Sequence, residues 1–140
     1  MRYLGIDYGL KRVGLALTDS AATLATPLAT INRTTRQALF GILLEYIEHY
    51  RIEAVVIGLP YDLEGKETLA TRQARNFAAS LGRRIIQPIH FVDEVLTSQH
   101  AADVLHQANL PSRKQKAVLD QQAAVAILES FLASGPENIR

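Results

Sequence analysis

The stretch Leu4-Gly5-Ile6-Asp7-Tyr8-Gly9-Leu10-Lys11-Arg12-Val13-Gly14-Leu15-Ala16 decides the fold. It begins as an apolar strand that ends on the carboxylate of Asp7, turns at Gly9, and continues as a second apolar strand. Because the turn between the two strands is short, we expect them to pair antiparallel. A carboxylate at the point where a buried strand meets its loop is costly unless it is paired, hydrogen-bonded or bound to a metal.

Two interpretations of this stretch stay open. Asp7 is followed by the cations Lys11 and Arg12, and the glycines around it allow a phosphate or a metal to approach closely. This combination suggests a site for a metal and a phosphate. Alternatively, Asp7 caps the turn of an ordinary hairpin, which is a common arrangement.

The composition sets the broad class of the protein. The chain has 140 residues, 48% of them hydrophobic, which suits one domain over residues 1–140 with its own core. The absence of cysteine excludes disulfides, thiolate metal sites and thiol catalysis. A net charge of +1 gives no general basic surface, so contacts with nucleic acid must come from local clusters. No apolar run is long enough for a membrane span and no signal peptide is evident, so we expect a cytoplasmic protein without membrane contact.

The rest of the chain predicts a mixed sheet with helices packed against it. After the first hairpin, Pro27 predicts an edge strand, and the apolar run 54–58 predicts a parallel strand that is buried on both faces. Helices between the later strands make crossovers, which gives an α/β fold in the order β-β-β-α-β-α-β-α-α. The remaining predictions are strands over 12–18, 23–31 and 88–92, helices after Thr35, from near Thr68 to a Gly82 cap, over 97–108 and over 117–133, and a basic loop over 112–116.

Two further carboxylate positions accompany Asp7. Asp93 and Glu94 follow a strand at the edge of the sheet where functional crevices form in open α/β sheets. Asp120 precedes Ala124 by four residues, which places it on the buried stripe of the last helix, where a carboxylate needs a cation. Alternatively, either Asp93 or Glu94 caps the helix that follows. The alternative for Asp120 is that it lies in the first turn of its helix because the helix dipole favours an acid there.

Acidic positions at one edge of a sheet suit divalent metal ions. Mg²⁺ binds carboxylates, water and phosphate oxygens, and two ions about 3.5–4 Å apart can clamp a phosphodiester for hydrolysis. The four histidines have no metal-ligand spacing, and we assign them no catalytic role. Cations that could bind a phosphate backbone occur in three clusters: Lys11 with Arg12; Lys66 with Arg72 and Arg75; and Arg113 with Lys114 and Lys116. The first and third clusters are expected to border the acidic site.

The chain resembles the YqgF (RuvX) family of RNase H-like nucleases, which is also named for Holliday junction resolution. The resemblance is carried by four blocks in order: Gly5–Gly14; Val56-Ile57-Gly58-Leu59-Pro60 with Gly65 and Glu67-Thr68; Asp93-Glu94-Val95-Leu96-Thr97; and Asp120-Gln121-Gln122-Ala123-Ala124 followed by Ile127-Leu128. It implies an RNase H-like fold with a five-stranded mixed sheet. It also implies cleavage of nucleic-acid phosphodiesters by Asp7, Glu94 and Asp120, which would bind Mg²⁺ or Mn²⁺.

The same resemblance implies a role in trimming the 5′ end of pre-16S ribosomal RNA. A dimeric resolvase that acts on branched DNA is the alternative, whereas the processing enzyme could be a monomer or a weak homodimer. One departure from the family pattern is Val95, which stands where the family usually has arginine. This departure motivates a third hypothesis, a non-catalytic RNA-binding module. A sugar-kinase-like phosphotransferase, suggested by Asp7-Tyr8-Gly9, would need a second lobe that this chain does not predict.

Overall fold

A computed structural model describes residues 1–94 and 112–134, and for residues 112–114 it describes the backbone only. The described part of the chain contains a five-stranded sheet in the order β3-β2-β1-β4-β5. The elements are β1 (Tyr3–Tyr8), β2 (Arg12–Thr18), β3 (Ala25–Asn32), α1 (Arg36–His49), β4 (Ala54–Pro60), α2 (Leu69–Gly82), β5 (Ile89–Glu94) and α3 (Ser112–Ser134).

The sheet is mixed, as predicted. Strands β1, β2 and β3 form an antiparallel meander, and β4 and β5 are then added parallel to β1. Strand β1 extends to Tyr8, so Asp7 lies inside the strand, opposite Gly14 of β2. The predicted edge position of the strand with Pro27 is confirmed, because β3 is the outermost strand and pairs with β2.

Two apolar layers cover the two faces of the sheet. Helices α1 and α2 bury one face, with Leu43 and Leu81 fully enclosed against side chains of β1 and β2. Helix α3 buries the other face, where Leu128 and Phe131 pack on Tyr3 and its neighbours. Strand β4 lies between the two layers and is buried from Ala54 to Leu59, which confirms the strand predicted from its continuous apolar run.

Helix α3 lies unusually close to the strands beneath it. A methyl group on Gly5 would stand 2.6 Å from Cγ of Leu128, and one on Gly58 would stand 2.5 Å from Cδ1 of Ile127. A methyl group on Gly14 would overlap the backbone carbonyl of Asp120. These three glycines therefore set the distance between α3 and the sheet.

Threonines begin both of the helices on the opposite face. The side chain of Thr35 accepts a hydrogen bond from the backbone N–H of Ala38 at 3.1 Å, and Thr68 and Thr71 cap each other's backbone at the start of α2. The predicted cap at Gly82 is wrong by one residue, because Gly82 completes the helix and Arg83 is the cap. Gly82 keeps a negative φ, so no left-handed residue is needed where this helix ends.

The last helix starts earlier than predicted. The expected basic loop over residues 112–116 is the first part of α3, which begins at Ser112. Arginine, lysine and glutamine are good helix formers, and no proline or glycine interrupts them after Pro111, so the helix extends into the basic segment. The helix predicted over 97–108 lies outside the described residues. In the described part of the chain, no helix is long and apolar enough to cross a membrane.

Candidate active site

Asp7 is held on the face of the sheet that α3 covers. Its neighbours Ile6 and Tyr8 face the α1 and α2 side, and side chains alternate along a strand. Burial raises the pKa of the Asp7 carboxyl from 3.8 to about 6, and the negative charge of Asp120 adds to the effect. Among residues 1–94 and 112–134, no cation is paired with this carboxylate. Burial and the charge of Asp120 therefore both disfavour the ionised form of Asp7.

Glu94 reaches the same region from β5. Val92, two residues earlier on the strand, packs in the core beneath α3, so the alternation of the strand directs Glu94 to that face. Burial raises the pKa of Glu94 to about 7, and the charges of Asp7 and then Asp93 contribute further. Asp93 itself is exposed, and the alternation of the strand places it on the opposite face. The structure thus brings Glu94, and not Asp93, towards Asp7.

Asp120 is placed by the close approach of α3 to Gly14. Its side chain is 16% exposed, which confirms the prediction that it lies on the inner face of the helix. The predicted need for a cation is met by Arg12, whose Nε donates a hydrogen bond to Oδ2 of Asp120 at 2.6 Å. This ion pair joins the start of β2 to α3.

The three predicted acids converge at one edge of the sheet. Asp7 and Glu94 lie near the carboxyl ends of β1 and β5, which run parallel. Asp120 lies on α3, which packs over the same face of the sheet. Within the two described ranges, no group of three acidic or histidine side chains is arranged to hold a metal ion as it stands. At Asp120, the guanidinium of Arg12 is bound to one carboxylate oxygen.

The predicted cations lie in different surroundings. Arg12 and Lys116 line a cavity of about 260 Å³ beside Asp120, together with Thr30, Asn32 and Ala117. Lys11 is exposed in the turn after Asp7, and the side chains of Arg113 and Lys114 lie outside the described atoms. In the remaining cluster, Lys66 pairs with Glu64 and Arg75 pairs with Glu67 at the surface.

A second group of polar side chains, which the sequence did not predict, lies beside Tyr8 on the opposite face of the sheet from Asp7. Arg33 and Arg36 lie on the α1 and α2 side of the sheet and line a cavity beside Tyr8. Arg33 lies in the stretch Asn32-Arg33-Thr34-Thr35, for which the sequence predicts only the helix that follows Thr35. The available signal was an arginine three residues before another arginine at the start of a helix.

The raised pKa of Asp7 predicts a pH-dependent difference in stability between the wild type and Asp7→Asn. Since the folded protein binds more protons than the unfolded chain between pH 3.8 and about 6, ionisation of Asp7 destabilises the fold as the pH rises. Without divalent cations, we expect the free energy of unfolding of Asp7→Asn to exceed that of the wild type by about 2–3 kcal/mol near pH 8. Near pH 4, we expect the two proteins to have the same free energy of unfolding. Urea titrations at several pH values measure this difference.

Comparing the two proteins removes the effect of His90, whose pKa is lowered by burial and which changes stability in the opposite direction. A difference that stays constant from about pH 4 to about pH 8 would show that Asp7 is not a destabilised carboxylate.

Solved structures with the same fold include two resolvases. RuvC of Thermus thermophilus in complex with a Holliday junction substrate matches with a TM-score of 0.57 at 18% identity, over 96% of each chain. The Fowlpox virus resolvase, solved with Holliday junction DNA, matches with a TM-score of 0.57 at 12% identity, over 96% of this chain and 98% of that one. These matches show the fold, which is RNase H-like.

The chain belongs to the RuvX family, whose model carries the description Holliday junction resolvase and matches residues 1–134. A relative from Maridesulfovibrio salexigens, named "Putative pre-16S rRNA nuclease", is 54% identical over 133 residues, covering 95% of this chain and 98% of that protein. A relative of the same name from Oleidesulfovibrio alaskensis is 52% identical and covers 94% of this chain and 92% of its own length. The predicted family is confirmed, which favours a nuclease over the phosphotransferase alternative.

Proposed function

We propose that this chain is a metal-dependent nuclease, working as one domain in the cytoplasm, that trims the 5′ end of pre-16S ribosomal RNA. The observation that carries the proposal is the convergence of Asp7, Glu94 and Asp120 on one face of an RNase H-like sheet, with electrostatic coupling between their carboxylates. The names of the relatives at 54% and 52% identity support the choice of RNA as substrate.

The proposed cofactor is Mg²⁺ or Mn²⁺, with two ions in the complete site. The donor set fits such ions, because burial raises the pKa of both Asp7 and Glu94, and the charges of Asp120 and of Asp7 and Asp93, respectively, raise them further. A bound cation would favour the charged forms of both carboxylates. Asp120 is the proposed third ligand. When bound, the ions would activate water and neutralise charge on the leaving oxygen.

In this proposal, the residues around the acids bind and orient the RNA backbone. Arg12 and Lys116 present positive charge in the cavity beside Asp120, where a phosphate would approach. Lys11, which is exposed in the turn after β1, is proposed to add a further contact to the backbone. Arg113 and Lys114 are proposed as nucleic-acid-binding residues from their sequence alone. Because Arg12 already binds Asp120 at 2.6 Å, its guanidinium keeps that carboxylate compensated before a phosphate or a metal arrives.

A second candidate function is resolution of four-way DNA junctions. It is favoured by the family description and by the shared fold of the two resolvases. A resolvase that cuts two strands symmetrically requires a twofold dimer. For the processing nuclease, we propose a monomer or a weak homodimer.

Cleavage of two labelled substrates tests the proposal. A 5′-extended small-subunit ribosomal RNA precursor and a four-way DNA junction are each incubated with Mg²⁺ or Mn²⁺, and with EDTA as the control. We expect cleavage of the RNA, no symmetric cleavage of the junction, and no activity in EDTA. Symmetric cleavage of the junction with the RNA spared would replace the processing function by the resolvase function.

Binding of the RNA without cleavage under any divalent ion would favour the non-catalytic module. Val95, which stands in place of the family's arginine, lies outside the described residues, and Val95→Arg would then be the next variant to assay.

A further inference from the structure

A second cavity, of about 300 Å³, lies at the carboxyl end of β1 on the face that α1 and α2 cover. Its wall is formed by Tyr8 from β1, Arg33 and Arg36 before and in the first turn of α1, and Gln73 and Asn76 of α2. None of the described side chains that line it is acidic. The cavity is therefore positively charged and edged by two amides.

Arg33 is held rigidly in this wall. Its Nη1 donates hydrogen bonds to the carbonyl oxygens of Gly9 at 2.9 Å and Leu10 at 3.0 Å. Its guanidinium carbon stands 4.5 Å from the centre of the Tyr8 ring, which is itself stacked on Phe77 at 4.2 Å. A guanidinium fixed in this way keeps its other N–H groups available to an anion with little further loss of side-chain freedom.

Arg36 is oriented by a different contact. Its Nη2 donates a hydrogen bond to Oγ of Ser80 at 2.6 Å, which ties it to α2. Gln73 and Asn76 lie on the same helix, and their amide groups make no hydrogen bond within the described part of the chain. Each amide can both donate and accept, which is what recognition of the edge of a nucleobase requires.

We infer that this cavity binds one nucleotide, with its phosphate on Arg33 and Arg36 and its base edge against Gln73 and Asn76. A volume of about 300 Å³ suits a small ligand and not a duplex. Tyr8 directly follows Asp7 at the carboxyl end of β1 and faces the opposite side of the sheet. A single strand that passes from the acids around this end of the sheet would meet the cavity. As a subsite for the substrate strand, the inference rests on the proposed nuclease function.

The test measures binding apart from cleavage. Affinity for a short single-stranded RNA is measured by fluorescence anisotropy in EDTA, and affinity for AMP by calorimetry. We expect Arg36→Gln to weaken RNA binding about 10-fold, because a charged hydrogen-bonding group is lost. Asn76→Ala should weaken it about 3-fold or more. The matched control is Arg51→Gln, an exposed arginine after α1 that lines neither cavity and belongs to none of the three cation clusters, and it should change binding less than about 2-fold.

The possible outcomes separate the two proposals. Variants that lose RNA affinity, with unchanged thermal midpoints and no AMP binding in the wild type, identify a subsite for the strand. Loss of AMP binding in the same variants identifies free nucleotide as a ligand of the same site. If Arg36→Gln and Asn76→Ala bind RNA as the control Arg51→Gln does, while the wild type cleaves RNA, the cavity is not a nucleotide site and the proposed function stands. A wild type that neither binds nor cleaves RNA would remove both.

Discussion

Asp7→Asn is expected to lower the rate of phosphodiester cleavage by about 10³-fold or more while the protein remains folded. The amide keeps the size of the side chain but removes the negative charge that a divalent cation needs. Since burial and the charge of Asp120 raise the pKa of this carboxyl to about 6, neutralising it relieves unfavourable charge in the folded state. Loss of activity together with unchanged or increased stability distinguishes a functional acid from a structural one.

The measurement is single-turnover cleavage in Mn²⁺, with calorimetric titration of Mn²⁺ into the same preparations. Asp93→Asn is the matched control, since it removes an exposed acid from the end of β5. We expect the control to retain cleavage within about 10-fold of the wild type. Equal loss in both variants would show that general negative charge, and not the position of Asp7, is responsible. Full activity and Mn²⁺ affinity in Asp7→Asn would refute the assignment.

Gly14→Ala is expected to destabilise the fold by about 3 kcal/mol or more and to remove most of the nuclease activity. An added methyl group at this position overlaps the backbone carbonyl of Asp120, and a backbone atom cannot rotate away as a side chain can. Helix α3 would have to shift from β2, which would carry Asp120 away from Asp7. Urea unfolding and the cleavage assay measure the two effects.

Gly41→Ala is the matched control for this substitution. Gly41 lies within α1, and a methyl group added there meets nothing within 4 Å. Because alanine favours the helix over glycine, we expect the control to gain about 0.5–1 kcal/mol of stability and to keep full activity. If Gly14→Ala behaves like Gly41→Ala, then α3 does not depend on the close approach at Gly14.

The sequence predicted the sheet well because its strands carry strong local signals. The hairpin of β1 and β2 follows from two apolar runs with a short turn, and the buried β4 follows from five consecutive apolar or small residues. Boundaries were less predictable. The start of α3 at Ser112 depends on helix-forming residues whose charge suggested a loop, and the end of α2 did not need the glycine that usually marks such an end.

The sequence predicted those features of the site that depend only on where each acid lies along its own strand or helix. The inner position of Asp120 could be read from the helical period, but its partner could not, because Arg12 lies 108 residues away along the chain. The wall of the second cavity was missed for the same reason. Tyr8, Arg33 and Phe77 become a stack only when β1, the start of α1 and α2 are packed together.

The three glycines beneath α3 have a consequence for how mutational data on this enzyme should be interpreted. Gly5, Gly14 and Gly58 carry no functional group, yet they allow the close approach of α3 to the sheet that places Asp120 near the other acids. In a survey that scores every substitution by activity, these positions would rank beside the carboxylates. We therefore expect the surface cations to vary more among homologues than these glycines. A neighbouring cation can take over the role of a lost one, whereas no larger residue fits where the glycine allows the helix to approach.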